Sequence, residues 1–371
     1  MIQIVDKALC TGCHACMNIC PRSCIEMKED EQGFRYPLVN SSDCIDCGLC
    51  EQVCHMTKSD NTSKPTAVYG ARNKDLEERM NSSSGGIFAL MAKWILEQGG
   101  SVYGAAFNRD YEVEHIRVTD KADLHKLQTS KYVQSIIGKT YSEVRNDLLQ
   151  DKYVLFTGTP CQIAGLKGFL RQEYDKLFCQ DIMCHGVPSP KLWKKYLAEL
   201  KAGDIKSISF RDKAQGWADF HVVIRGEKKT VSDVFNKNTY MRAFLSDASL
   251  RPSCYNCHYK NLEYAGDFCL GDFWGIEEFC PEINDNKGVS LLLINTSKGK
   301  ELLDKVRDNI ELKDVPTEAA RVKNGAAVNG AAMNEKNTAL YNNIDNMTVH
   351  RIVEKYIRGS FLNRVKNKLK K

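Results

Sequence analysis

"CTGCHACMNICP" (residues 10–21) places Cys10, Cys13, Cys16 and Cys20 in C-x2-C-x2-C-x3-C-P spacing. "CIDCGLCEQVC" (44–54) repeats the cysteines as Cys44, Cys47, Cys50 and Cys54, each 34 residues after its counterpart, so the segment is an internal duplication. Three thiolates this close along a chain can wrap three irons of one iron–sulfur cubane, while the fourth points to the other half of the repeat. Zinc also takes four thiolates, but its sites more often pair two C-x2-C hairpins than use a triple spacing. Pro21 follows the first run; His55 stands in the matching place after the second, which changes a turn and removes no ligand.

The spacing is that of two-cluster ferredoxins, in which the fourth cysteine of each run ligates the other cluster. It assigns Cys10, Cys13, Cys16 and Cys54 to one 4Fe-4S cluster, and Cys44, Cys47, Cys50 and Cys20 to a second. Residues 1–58 are thus expected to form a ferredoxin-type domain, with Cys24 in its core. Five Lys/Arg against nine Asp/Glu in residues 1–60 favour low cluster potentials, an effect that solvent and hydrogen bonds can outweigh. The polar, aperiodic "TKSDNTSKPTA" (57–67) reads as a linker.

The chain of 371 residues, 43% apolar and 27% charged, suits a soluble globular protein of two or three domains. It has no apolar run of about 18 residues, so no membrane span is expected. Its start lacks the basic and apolar regions of a secretory signal. In the expected cytoplasmic, reducing setting, sixteen cysteines point to metal or redox roles rather than disulfides. The net charge of +5 is uneven: residues 351–371 carry eight Lys/Arg against Glu354 alone. This reads first as a solvated basic tail, and second as a peripheral contact for anionic lipid or an acidic partner. Without aromatic–basic interleaving, no nucleic-acid partner is expected.

Ile87, Phe88, Leu90, Met91, Trp94 and Ile95 share one helical face, and Gly99–Gly100 stop that helix. Ser82 to Gly86 form its entry, a cap whose amides also suit an anion. Strands are predicted at 101–107, 111–118, 153–158, 177–184, 207–210, 220–226 and 289–295, and helices at 141–149, 160–171, 189–201 and 298–308. The alternation predicts a mixed α/β sheet with helices on its faces over residues 66–350, and an α+β chain overall. No dinucleotide-binding glycine fingerprint and no P-loop is present.

Eight cysteines remain. Cys161, at a helix start after a predicted strand, suits a nucleophile, a metal ligand or a small core residue. Cys184 ends the next strand, and Cys254 and Cys257 form a C-x2-C pair. Ends of neighbouring strands are where α/β proteins assemble sites, so Cys161, Cys184, Cys254 and Cys257 are candidates for a third cluster. His185 and His258 could replace a ligand or donate to cluster sulfur. Cys179, Cys269 and Cys280 read as packing.

Through "SSSGGIFALM", "SKYVQS", "GTPCQIAGLK", "CHGVPSP", "CYNCHYK" and "AGDFCLGDFWG", residues 65–350 resemble the coenzyme F420 hydrogenase/dehydrogenase beta-subunit family, in its bacterial form with a fused N-terminal ferredoxin. The resemblance implies an FAD-binding α/β domain and an additional 4Fe-4S cluster held by scattered cysteines. It implies flavin contacts at Ser84, Gly85 and Gly86, and a loop of Lys131, Tyr132, Val133 and Gln134 lining the isoalloxazine. Thr159, Pro160 and Gln162 would form the opposite wall. Lys131 is the candidate catalytic cation that stabilises reduced anionic flavin. Cys161 would be a cluster ligand at the flavin's edge, with catalytic attack the alternative. Asp267, Asp272 and Trp274 would shape the mouth.

The expected function is an iron–sulfur flavoprotein oxidoreductase. It would pass electrons between a redox partner protein or reduced carrier and an organic substrate or deazaflavin-like coenzyme, in settings that include surface-polysaccharide biosynthesis. The alternatives are a non-catalytic electron-transfer subunit and a flavin-free redox sensor.

Overall fold

The computed structural model describes residues 1–57 and 62–358. Part of the expected linker (58–61) and most of the basic tail (359–371) lie outside the described residues. In the N-terminal unit each cysteine run opens a short helix, Ala15–Ile19 and Leu49–Gln52. Each helix follows a left-handed residue, His14 (φ 63°) or Gly48 (φ 72°). The two stand at equivalent places in the repeat, so the duplication extends to the backbone. The left-handed turn swings the third cysteine of each run back toward the first two. Glycine adopts it freely, whereas a histidine pays roughly 1 kcal/mol. His14 is buried and its Nδ1 accepts a hydrogen bond from the Gly138 amide at 3.2 Å, which fixes it against the rest of the chain. Between the runs, β1 (Ile25–Glu29) and β2 (Arg35–Val39) form an antiparallel hairpin.

Eleven further strands follow among the described residues: β3 (Ala67–Asn73), β4 (Ser101–Phe107), β5 (Val113–Val118), β6 (Val154–Gly158), β7 (Leu177–Ile182), β8 (Ile205–Asp212), β9 (His221–Gly226), β10 (Thr230–Val234), β11 (Phe268–Asp272), β12 (Ser290–Ile294) and β13 (Ile310–Asp314). Eight build one sheet in the order β13-β3-β12-β11-β7-β6-β4-β5. Its centre, β11-β7-β6-β4, is parallel and the flanks are antiparallel. Interior strands buried on both faces read as near-continuous apolar runs, as in "SLLLI" of the antiparallel β12, every residue of which is buried. The helix Ile87–Glu97 covers one face, packing Ile87, Met91 and Ile95 on Leu155, Phe178 and Phe268. Helices Thr140–Leu149 and Pro160–Leu170 cover the other, packing Tyr141, Ile163 and Phe169 on Tyr103 and Phe156.

The strands expected at 207–210 and 220–226 lie outside this sheet. They form a separate antiparallel sheet, β10-β9-β8, because hairpin pairing satisfies their ladders without a crossover helix. The strand expected from 111 starts at Val113, since Tyr111 turns the chain at φ 57°. Ile352, Val353 and Ile357 are buried in the core beside this second sheet, so the chain is packed well past residue 351. No helix among the described residues is long and apolar enough to cross a membrane.

The N-terminal unit seats on the helix Pro160–Leu170. A β-carbon on Gly168 would lie 2.5 Å from the Val53 carbonyl oxygen, and one on Gly165 would lie 2.8 Å from the Cys13 sulfur. These glycines, one helical turn apart, let the cysteine-bearing backbone approach directly. Gly168→Val is therefore expected to destabilise the fold by about 1–3 kcal/mol through overpacking, measured by denaturant unfolding under anaerobic conditions. Gly325→Ala, where an added β-carbon meets no atom within 4 Å, is the control and should change little.

Candidate redox centre

The thiols come together in three sets, and all are unbridged. Cys10, Cys13, Cys16 and Cys54 interact electrostatically with one another. Burial pushes the Cys13 thiol up to about 12, and the sulfurs of Cys10 and Cys54 add to the rise. Cys20, Cys44, Cys47 and Cys50 line a single cavity together with Cys24. Cys24, read from the sequence as a core residue, is buried and its sulfur stands 3.4 Å from that of Cys20. Backbone amides point at this set: Ile2 donates to Cys50 Sγ at 3.3 Å and Asp46 to Cys44 Sγ at 3.4 Å.

The third set is Cys161, Cys184, Cys254 and Cys257, which lie within electrostatic reach of one another. Cys161 enters at the start of the helix Pro160–Leu170, directly after β6, and Cys184 follows β7 by two residues. A turn at Pro252–Asn256 brings Cys254, whose sulfur accepts from the Val187 amide at 3.4 Å. Burial pushes Cys184 and Cys254 up to about 12. Such thiols stay protonated until a metal takes the proton's place. Among the described residues no group of three or more His, Cys, Asp or Glu closes on a single-ion position. Sets of four thiols are the ligand complement of a four-iron cubane. Cys13 is also an electrostatic neighbour of Cys161, so the first and third sets adjoin across the glycine face of the helix.

His185 is turned away from the third set: its Nε2 pairs with Asp247 at 2.7 Å and its ring meets the Phe244 ring edge-on. The capping box of the helix Pro160–Leu170 occupies Thr159 and Gln162, the Thr159 amide donating to Gln162 Oε1 at 2.9 Å. Pro160 is its first residue.

The other expected site residues gather near the carboxyl ends of the parallel strands, where such sheets place ligands. Gly85 is set by packing: its amide donates to Ser290 Oγ at 3.0 Å, and a β-carbon there would lie 2.3 Å from the Ala71 carbonyl oxygen. Gly86 takes φ 77° to start the helix, and Ser84 Oγ donates to the Val289 carbonyl at 2.8 Å. Ser83 joins this entry to the next loop, accepting from the Ser130 amide at 2.7 Å. Lys131 Nζ donates to the carbonyls of Gln128 and Lys126 at 2.7 and 2.8 Å, and burial draws its pKa down to about 7. Tyr132 packs on Phe210 and Phe244, while Val133 is buried in the core. Gln134 leaves this edge: its amide donates to the Thr11 carbonyl of the first cysteine run at 3.1 Å.

Sequence reasoning missed Arg211. It pairs with Asp272 at 2.8 Å, stacks over Phe220 at 3.8 Å, and keeps a buried Nε without a partner. Gln180 Oε1 on β7 is likewise buried and unpartnered. Trp217 donates to Asp272 and stacks on Trp274 at 4.8 Å. Orphaned buried polar atoms beside aromatic faces fit a planar polar group such as an isoalloxazine. "SFRDKAQGW" has no motif spacing that would have singled Arg211 out.

Residues 9–57 match the family model of the 4Fe-4S dicluster domain, and residues 151–318 match that of the C terminus of the coenzyme F420 hydrogenase/dehydrogenase beta subunit. Residues 151–318 are thus similar to the C terminus of that beta-subunit family. This family segment contains Cys161, Cys184, Cys254, Cys257, Arg211 and Asp272. The dicluster segment contains all eight cysteines of the repeat. The coenzyme F420-dependent sulfite reductase of Methanocaldococcus jannaschii is 25% identical over 338 residues, 84% of this chain. The chain spans 47% of that reductase's length. A ferredoxin of Saccharopolyspora erythraea is 29% identical over 87 residues, 23% of this chain and 71% of the ferredoxin. A chain of the F420-reducing NiFe hydrogenase complex of Methanosarcina barkeri superposes with TM-score 0.49 at 16% identity, covering 73% of this chain and 90% of that one.

His115 gives the fold a pH dependence. It is buried against Phe156, with Nδ1 2.7 Å from Ser135 Oγ and Nε2 3.0 Å from the Thr157 carbonyl, and burial lowers its pKa from 6.5 to about 4. The neutral ring donates from Nε2 and accepts from Ser135 at Nδ1. Between these two values the unfolded chain binds more protons, so stability falls as pH drops from 6.5 toward 4. His115→Gln should flatten the pH dependence of unfolding free energy across that window relative to wild type, measured by denaturant titration at each pH.

Proposed function

We propose that the chain is an iron–sulfur flavoprotein oxidoreductase that relays single electrons between a protein or small reduced carrier and an organic substrate or deazaflavin-like coenzyme. The observation that carries this reading is the line of three four-thiol sets ending at the carboxyl edge of the parallel strands. Cys10, Cys13, Cys16 and Cys54 would hold one 4Fe-4S cluster, and Cys20, Cys44, Cys47 and Cys50 a second. Cys161, Cys184, Cys254 and Cys257 would hold a third. When bound, clusters carry one electron at a time and FAD exchanges two, which reconciles a wire with a hydride-type reaction.

The residues around the edge have definite tasks in this reading. The Ser83–Ser130 hydrogen bond pins the two loops that would flank the flavin. Lys131 presents a cation whose half-lowered pKa leaves it able to gain or lose a proton near neutral pH. Arg211 and Asp272 supply a fixed charged pair, and Trp217 and Trp274 an aromatic wall.

A second reading, an electron-transfer subunit that works only with a partner, is favoured by one fact: the chain spans about half of the M. jannaschii reductase. Turnover of the isolated chain with a chemical reductant and candidate acceptors separates the two.

Anaerobically purified protein should contain about twelve irons and one flavin per chain. Cys161→Ser should lose about four irons and keep the flavin. Full iron with lost activity would make Cys161 a nucleophile, and iron near four with zinc present would refute the relay. Lys131→Met should lower the potential of the bound flavin, read by spectroelectrochemistry; an unmoved potential removes Lys131 from the flavin site.

A further inference from the structure

Arg251 is fully buried, and it belongs to none of the carboxylate ion pairs among the described residues. Its guanidinium donates to the Cys10 carbonyl at 2.8 Å, the Arg35 carbonyl at 3.0 Å and Gln134 Oε1 at 3.1 Å. Its remaining contact is Cys10 Sγ, 3.6 Å from Nη2. Tyr36 lies beneath it at 4.2 Å, and burial pushes that phenol up to about 12, so the ring supplies a π-face and no anion. His14 nearby is an imidazole that supplies no anion, and the charge of Arg251 also reaches Cys254 of the third set.

An arginine cannot discharge itself by losing a proton. A buried guanidinium with only neutral partners is costly unless a negative charge stands nearby. The one group in contact that becomes negative on binding iron is the Cys10 thiol. The Arg251 carbonyl accepts from the Cys254 amide at 2.9 Å, so the same residue also anchors the turn of the third set. Gly12, in the first C-x2-C, leaves room for it: a β-carbon there would lie 2.8 Å from Nη1.

Resting on the cluster reading above, we propose that Arg251, in direct contact with Cys10 Sγ, is the built-in counter-charge of the cluster held by Cys10, Cys13, Cys16 and Cys54, and raises that cluster's potential more than it raises those of the other two. The reduced cluster carries one more negative charge than the oxidised one. A cation at hydrogen-bond distance from a ligand sulfur therefore stabilises the reduced form more. The effect is largest where water is excluded, as it is around Arg251. Cys54 of the first set neighbours Cys50 of the second, and Cys13 neighbours Cys161 of the third, so the first cluster would lie between the other two and its raised potential would make it the point where electrons collect before crossing to the flavin side. Arg251 is thus a positioning and tuning residue, not a catalytic one.

The test is an EPR-monitored redox titration of the anaerobically purified full chain, as wild type, Arg251→Lys and Arg251→Gln, with iron determined on each sample. In Arg251→Gln with full iron, one one-electron step should move to lower potential by at least tenfold in the reduced-to-oxidised ratio, about 59 mV. Arg251→Lys keeps the cation and should retain most of the wild-type potential. Steps that stay unmoved in Arg251→Gln, or that move equally in both variants, overturn the proposal. If Arg251→Gln loses iron, wild-type protein labelled with 15N-arginine decides. Pulsed EPR of the reduced first cluster should show a coupled arginine nitrogen that Arg251→Lys lacks, and its absence overturns the proposal. Wild-type protein without cluster iron would instead refute the underlying cluster reading.

Discussion

The proposed relay depends on one close approach, that of the N-terminal cysteine-bearing backbone to the glycine face of the helix Pro160–Leu170. Any β-carbon at Gly165 or Gly168 would push Cys13 and Val53 away. The same helix carries Cys161 in its first turn, so one element holds the sulfur of one set and receives the sulfur of another. Electron transfer falls steeply with distance, and in the proposed relay the packing of two glycines would keep that distance short. The remaining contacts between the two parts reinforce it. His14 accepts from Gly138, Gln134 reaches Thr11, and Ser189 donates to the Gln32 carbonyl at the tip of the β1–β2 hairpin.

The large sheet supplies the second constraint. Four adjacent parallel strands end on one edge, which brings Cys161 from β6 beside Cys184 from β7. The same edge collects the loops at Ser83–Gly86 and Ser130–Tyr132. Antiparallel strands flank this centre and let the chain return without further crossovers, which is how β12 and β3 place Ser290 and Ala71 against Gly85. Gly85 of "SSSGGIF" is thereby explained by packing against strand backbone, and Gly86 by its left-handed turn into the helix. The small sheet β8–β10 then contributes Arg211 to Asp272 from outside the parallel core.

Much of this was legible in the sequence, because short-range spacing and periodicity encode it. The cysteine repeat, the helix Ile87–Glu97 and the strand-to-helix turn at Cys161 all follow from local rules. The grouping of Cys161, Cys184, Cys254 and Cys257 followed from strand ends plus a count of cysteines without partners. What escaped was long-range. Arg211 sits in a stretch without motif spacing and Arg251 just ahead of the C-x2-C pair without being part of it, and their roles come from neighbours dozens or hundreds of residues away. Gln134 was equally hard to place: it sits in "SKYVQS" among residues expected at the flavin, and its side chain bonds Thr11 and Arg251. Cys24 reads as a small apolar residue and proves to border the second thiol set.

The central claim is a continuous three-cluster relay, and the EPR spectrum of the fully reduced, anaerobically purified chain tests it most directly. Clusters in adjoining sites are paramagnetic neighbours, so the account predicts broadened, mutually coupled signals that integrate to about three spins per chain. Two coupled spins with no third, or three sharp signals that show no interaction, would contradict it.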